Sequence, residues 1–219
     1  MPYKRKILCL ANSWKKGGWC VAGKAMSSEG FGPWIRPVSN RENEEISNEE
    51  RLYEDKTIPE LLDVIEIRFI ESRPTDFQSE NHLIDSTFTW RKVEHVGWTE
   101  AESAIDSTIA LWINGSSSSS GLNDRVPGHS AKSLVGSLFL IRPENLTIEV
   151  AGRKRKAHFE FEGVKYMLSI TDPWVESSYT REGSHRVPEA ILCVSLGGVF
   201  NGYAYKLVAA VITPERSGE

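Results

Sequence analysis

Short apolar stretches recur along this chain at strand length, each bounded by glycine, proline or small polar residues. Lys6-Ile7-Leu8-Cys9-Leu10-Ala11 stops at Asn12 and Ser13 and predicts a buried strand. Residues 18–26 predict a second strand. Residues 32–38 predict a third, whose Pro33 and Pro37 put it at an edge or end its pairing early. Ser47 followed by Glu50 forms a capping box and predicts a short helix. Residues 62–70 and 88–96 are the fourth and fifth strands. Thr99 with Glu102 marks a further helix start, and Ala101, Ala104, Ile105, Ile109, Leu111 and Trp112 supply that helix with an apolar side.

The second half has the same rhythm. Residues 137–142 form a connecting strand. Leu146, Ile148 and Val150 alternate with Thr147 and Glu149, and Phe159 and Phe161 alternate with His158, Glu160 and Glu162. Glu162-Gly163 turns the chain, and Val164, Tyr166, Leu168 and Ile170 continue on the returning strand. Residues 173–189, with Pro173, Gly183 and Pro188, read as irregular with at most one helical turn. Residues 190–196 and 203–212 are nearly continuous apolar runs, which suits burial on both faces.

Each half thus has three strands, a helical or irregular segment, then two more strands. That is the order of an OB-fold barrel. The expectation is a mainly β protein with short helices, built as two tandem OB-like five-stranded barrels. The first spans residues 1–98 and the second 137–219. Between them, 99–136 carries a helix and a flexible connection, Asn114-Gly115, five serines and Gly121, readable as a mobile functional loop or a plain linker. No residue-level repeat relates the halves; the repetition is one of topology.

Composition narrows the class. Of 219 residues, 40% are hydrophobic and 26% charged, as in a soluble globular protein. No run approaches the ~20 apolar residues of a membrane helix. The basic start, Met1 to Lys6, leads into a short apolar run without a cleavage site, so a cytoplasmic location without membrane contact is expected. Cys9, Cys20 and Cys193 are odd in number and lack a Cys-x-x-Cys spacing. They read as small buried hydrophobes in a reducing compartment, and no metal or cofactor ligand set is visible. The net charge of −4 argues against coating nucleic acid by bulk attraction but leaves room for a local basic groove. The acid is concentrated in residues 42–60, read as a solvated surface.

Single-strand binding needs cations near phosphates and flat side chains that stack on bases. Trp14 beside Lys15 and Lys16, before two glycines, offers both. Trp34 and Arg36 share a strand parity and form a second stacking and phosphate pair if that side faces outward. Arg153, Lys154, Arg155 and Lys156 form a basic loop at the equivalent place in the second half. Phe200 and Tyr203 flank the glycine-rich join of the last two strands. Each group also has a plain structural reading, as core aromatics or solvated turns. Asp124 and Arg125 are a speculative loop site, with an internal salt bridge as the simpler reading. No phosphate-binding glycine motif, dinucleotide fingerprint, nucleophile elbow or His-Glu-x-x-His is present, so no catalytic residue is assigned.

Five segments carry a resemblance: KILCLANSWKKGGWCVAGK, GPWIRPVS, LLDVIEI, the serine loop ending in GLNDRV, and CVSLGGVFNGYAYKLVAAVI. Together they resemble bacterial proteins with a dual OB-containing domain, over nearly the whole chain. The resemblance implies two barrels in tandem and a nucleic-acid-binding or sensing role within bacterial conflict systems. It brings no catalytic residues. The leading expectation is a non-enzymatic module that binds single-stranded nucleic acid or a nucleotide end. The alternatives are a protein–protein interaction module and a metal-independent enzyme acting on a nucleotide or modified base.

Overall fold

The computed structural model describes residues 1–15 and 17–218, except for the side chain of Lys15. The protein is mainly β, 51% strand and 9% helix. It divides into two compact units, Met1–Ala104 together with the residues from Ser217 on, and Ile105–Arg216.

The first unit holds β1 (Tyr3–Lys15), β2 (Gly18–Ser27), β3 (Gly30–Val38), β4 (Asp63–Ser72), β5 (Asn81–Ile84), β6 (Arg91–His95) and α1 (Trp98–Ser103). The long β1 serves two neighbours. Tyr3 to Leu8 pair with β4, while Ile7 to Lys15 pair with β2. A register shift between Cys9 and Ala11 bends the strand between these tasks. β3 pairs in parallel with β5, and β5 pairs antiparallel with β4. The ring β1-β2-β3-β5-β4 therefore closes back on β1 in OB order.

β5 and β6 lie one after the other along the edge of β4 opposite β1. The strand expected over 88–96 is thus the second part of a broken fifth strand. The barrel-closing part is Asn81–Ile84, four residues too short to register as a periodic run. The capping box at Ser47 forms, with Ser47 N–H donating to Glu50 Oε2 at 2.8 Å and Glu50 N–H to Ser47 Oγ at 3.2 Å. It closes one turn rather than a helix, because the chain then dives inward to bury Arg51 and Tyr53. Asp63, fully buried at the start of β4, anchors this segment. It accepts from Tyr53 Oη (2.9 Å), Glu60 N–H (3.0 Å), Lys92 Nζ (2.6 Å) and His95 Nδ1 (2.9 Å).

The second unit holds β7 (Arg125–Pro127), α2 (Gly128–Ala131), β8 (Leu138–Ile141), β9 (Glu144–Ala151), β10 (Lys154–Phe161), β11 (Val164–Ile170), α3 (Pro173–Ser178), β12 (Gly183–Arg186), β13 (Ile191–Phe200) and β14 (Tyr203–Ile212). β8 and β9 follow one another with a two-residue break and divide the work of β1, since β8 pairs with β13 and β9 with β10. β11 pairs in parallel with β14, as β3 does with β5. This is a second OB barrel, with β12 added at the free edge of β9. The expected hairpin at Glu162-Gly163 is present, both residues at positive φ. Leu146, Ile148, Val150, Phe159 and Phe161 all point into the core.

The apolar run after Thr99 does not extend its helix. α1 begins at Trp98, capped by Gly97 N–H on Glu100 Oε2 (3.2 Å), and ends at Ser103. Beyond it, Asp106 pairs with the Leu140 backbone through bonds of 2.8 Å, and Leu111 enters the core of the second unit. Tertiary partners claim these residues before a helix can.

The serine-rich segment is likewise held rather than loose. β11 and β14 pair only at Ser169–Leu207 and Ile170–Val208, which leaves a seam. Residues 122–127 fill it as a strap: Leu122 exchanges two backbone bonds with Met167, and β7 pairs with β14. Asp124 accepts from Ser118 N–H at 2.7 Å and from Ser118 Oγ, and Asn123 Nδ2 donates to Lys165 O at 3.0 Å.

Lys206, 1% exposed, ties the start of this segment by donating to Ile113 O (2.9 Å) and Asn114 Oδ1 (2.8 Å). Burial pulls its pKa down to about 8, with the Asp124 carboxylate pulling the other way. The unfolded chain then holds the Lys206 proton more tightly than the folded one. Stability of this unit should rise between pH 8 and 10, by about 2 kcal/mol, as that proton ceases to penalise folding. Urea melts across that window, compared with Lys206→Met, measure it. A rise that persists in the variant would assign it elsewhere.

Candidate functional site

The β1–β2 hairpin of the first barrel sets a half-exposed indole next to a buried charge. Trp14 and Trp19 face each other across the two strands, and Lys15 pairs with Gly18. Gly18 is required there, because a Cβ would lie 2.9 Å or less from the Glu45 side chain and the Ile46 carbonyl. Trp14 is 52% exposed, and the two indoles meet edge to face with centroids 5.3 Å apart.

Trp19 is held from behind. The Arg51 guanidinium lies over its ring with Cζ 3.5 Å from the centroid, and Trp19 Nε1 donates to Asn48 Oδ1 at 2.8 Å. Arg51 donates to Asn12 Oδ1 (2.9 Å) and Asn48 Oδ1 (3.2 Å), and Asn12 Nδ2 donates to Pro59 O (2.6 Å). Arg51 is 2% exposed, and no carboxylate among the described residues pairs with it. Burial lowers its pKa to about 10, with Cys9 pulling weakly the other way. Burying a cation without an acid is costly. The arrangement leaves an uncompensated positive charge directly beneath an aromatic pair at a barrel hairpin.

Other expected residues lie elsewhere. Lys16 is outside the described residues, as is the Lys15 side chain. Trp34 stands opposite Lys24, whose Nζ is 5.7 Å from its ring centroid and donates to Ala104 O at 2.6 Å. Lys24 is five residues along β2 from Trp19, about 16 Å, so Trp34 does not join the Trp14 cluster. Arg36 is 4% exposed, forms an ion pair with Glu80 at 3.0 Å, and donates to Asn81 Oδ1 at 3.2 Å. Its charge is matched inside the barrel rather than offered to a phosphate.

In the second barrel, Arg153 is in the β9–β10 turn while Lys154, Arg155 and Lys156 already belong to β10. Arg153 and Lys154 are exposed. Arg155 folds back onto Gly152 O at 2.7 Å, and Lys156 Nζ donates to Ser120 O. Phe200, 60% exposed, ends β13, so the expected glycine-rich join shrinks to the turn Asn201-Gly202. Tyr203 carries the Arg125 guanidinium over its ring at 3.9 Å. Asp124 and Arg125 serve different partners, the former Ser118, the latter Tyr203 and Ser116 Oγ (3.3 Å). Among the described residues, no group of three or more His, Cys, Asp or Glu is placed to hold a metal ion.

Trp19, Arg51, Asn12 and Asn48 were not picked out by sequence. Trp19 had a signal, since a two-residue hairpin puts it opposite Trp14. Arg51 had none, lying within an acidic run that reads as solvated.

Comparison with known proteins agrees with the topology. The family described as "Dual OB-containing domain" matches residues 5–211. No curated protein matches the chain. A solved structure described as "Molecular basis for abrogation of activation of pro-inflammatory cytokines" is 13% identical, over 96% of this chain and 88% of that one, with a TM-score of 0.35.

Proposed function

The chain belongs to the dual OB-containing domain family, and on that footing we propose that it is a binding module for single-stranded nucleic acid, engaged first through the β1–β2 hairpin of the first barrel. The observation that carries this reading is Trp14, half-exposed and edge-on to Trp19, above the unmatched Arg51 cation. OB barrels present ligands to this hairpin and the neighbouring face. An exposed indole accepts any base by stacking, and Lys15 and Lys16 in the adjoining sequence supply charge for the backbone.

Fluorescence anisotropy of labelled single-stranded DNA and RNA across a salt series tests it. Binding should weaken steeply with salt, and Trp14→Ala should weaken it by about tenfold. Charge reversal of Lys15 and Lys16 together should flatten the salt dependence. Folded protein that ignores both strands at low salt, or binding indifferent to Trp14→Ala, overturns the reading. The weight then moves to a protein partner, for which Val199 and Phe200, 45% and 60% exposed at the tip of the β13–β14 hairpin, are the natural anchors.

A further inference from the structure

A cavity of about 260 Å³ opens on the second barrel, between β10, β11 and the strap. Ala157, Phe159 and Phe161 point inward from β10, and Tyr166 and Leu168 from β11. The alternate residues His158, Glu160, Lys165 and Met167 therefore face outward, over the cavity. Leu122 of the strap rises beside Met167, to which it is backbone-bonded, and converts an open sheet face into a bounded one.

The lining has a definite polarity. Leu122 and Met167 offer apolar and polarisable contact suited to a flat ring. His158 Nε2 lies 2.6 Å from Glu149 Oε2. An ionised carboxylate only accepts, so Nε2 carries a proton, and Nδ1 is the ring nitrogen left to meet a ligand. Nδ1 has no hydrogen-bond partner among the described residues. Lys165 adds a donor at the rim, its Nζ 3.8 Å from Glu160 Oε1. The volume falls just below the roughly 300–1,000 Å³ of pockets for drug-sized ligands, so it suits one heteroaromatic ring rather than a whole nucleotide.

We propose that this cavity takes a single unstacked base from a bound strand, with His158 reading its edge and Leu122 closing over its face. The inference rests on the nucleic-acid reading above and adds a second, base-sized subsite to it. The Glu149–His158 pair makes that subsite selective in hydrogen bonding, where the Trp14 hairpin is indifferent to base identity.

The test is titration of ¹⁵N-labelled protein with short oligothymidylate and oligouridylate, following the Trp14 indole N–H and the amides of His158, Lys165 and Met167. Both sets should shift. His158→Ala and Leu122→Ala, the first at a part-buried and the second at an exposed position, should weaken binding by roughly five- to tenfold while the Trp14 resonance still responds at saturation. His158→Gln, which keeps an acceptor and a donor, should recover part of the loss. A Trp14 response without movement at the cavity, and with both alanine variants binding as the parent does, overturns this subsite and leaves the first intact. Silence at both places overturns both.

Discussion

Asp63→Ala should destabilise the first barrel by about 3–5 kcal/mol. The Asp63 carboxylate has no exposed surface and answers four donors. The Tyr53 hydroxyl, on a residue 3% exposed, cannot turn to water, and the Glu60 N–H donates from a part-buried position. Each stranded donor costs about 1–3 kcal/mol. Lys92 and His95 are 40% and 38% exposed, so solvent takes over much of their share. Burial alone would raise the Asp63 pKa, but the bonds from Lys92, His95, the Glu60 N–H and Tyr53 prevail and hold it below the usual aspartate range. Burial, helped by the same Asp63 charge, drives the Tyr53 hydroxyl well above the ordinary tyrosine value. The folded state binds the Asp63 proton less tightly than the unfolded chain. Its contribution is therefore present above about pH 4 and lost as pH falls through the depressed value. Urea denaturation at neutral pH reads the magnitude, and Asp63→Asn should flatten the acid limb. A loss under 1 kcal/mol for the alanine variant would show that water reaches Tyr53.

Glu80→Ala should cost a comparable 3–5 kcal/mol, for a different reason. The Arg36 and Glu80 side chains are 5% and 4% exposed, at the parallel β3–β5 junction that closes the barrel. Removing the acid leaves a guanidinium charge inside the protein with the Asn81 amide still in reach. The double variant Arg36→Met/Glu80→Ala should recover most of the loss, since the penalty comes from the stranded charge rather than from the missing attraction. A double-mutant cycle by denaturant melts reads this directly. If the double variant is as unstable as Glu80→Ala, the ion pair itself supplies the stability. The same geometry explains why strand parity misled about Arg36. Parity places Arg36 with Trp34 but does not say whether an acid from a distant segment will cover that face.

Strand order was legible because each strand of four or more apolar residues carries its own burial pattern. The hairpin at Glu162-Gly163 and the alternation over Leu146 to Val150 needed no distant partner to be read. So was the correspondence of the two halves, since three strands, a crossover and two strands is a property of the chain in order. Trp14 as an exposed stacking candidate belongs to the same class, because a residue near the end of a hairpin strand has little to bury against. Asn81–Ile84 was missed because its strand character comes from pairing with β3 and β4 rather than from its composition.

The remaining features are relations between residues far apart in the chain. Arg51 lies in an acidic run and reads as solvated, yet the fold puts it beneath Trp19, 32 positions earlier. The serine segment reads as a linker, yet the short pairing of β11 with β14 leaves a seam that it fills, and Lys206 at a distance of 92 residues fastens Asn114. Periodicity reports which side of a strand is dry. It carries no information about which distant backbone completes a barrel, which acid neutralises a buried cation, or which cation is left without one. Those depend on chain closure, and closure in this protein made Trp14, Trp19 and Arg51 neighbours.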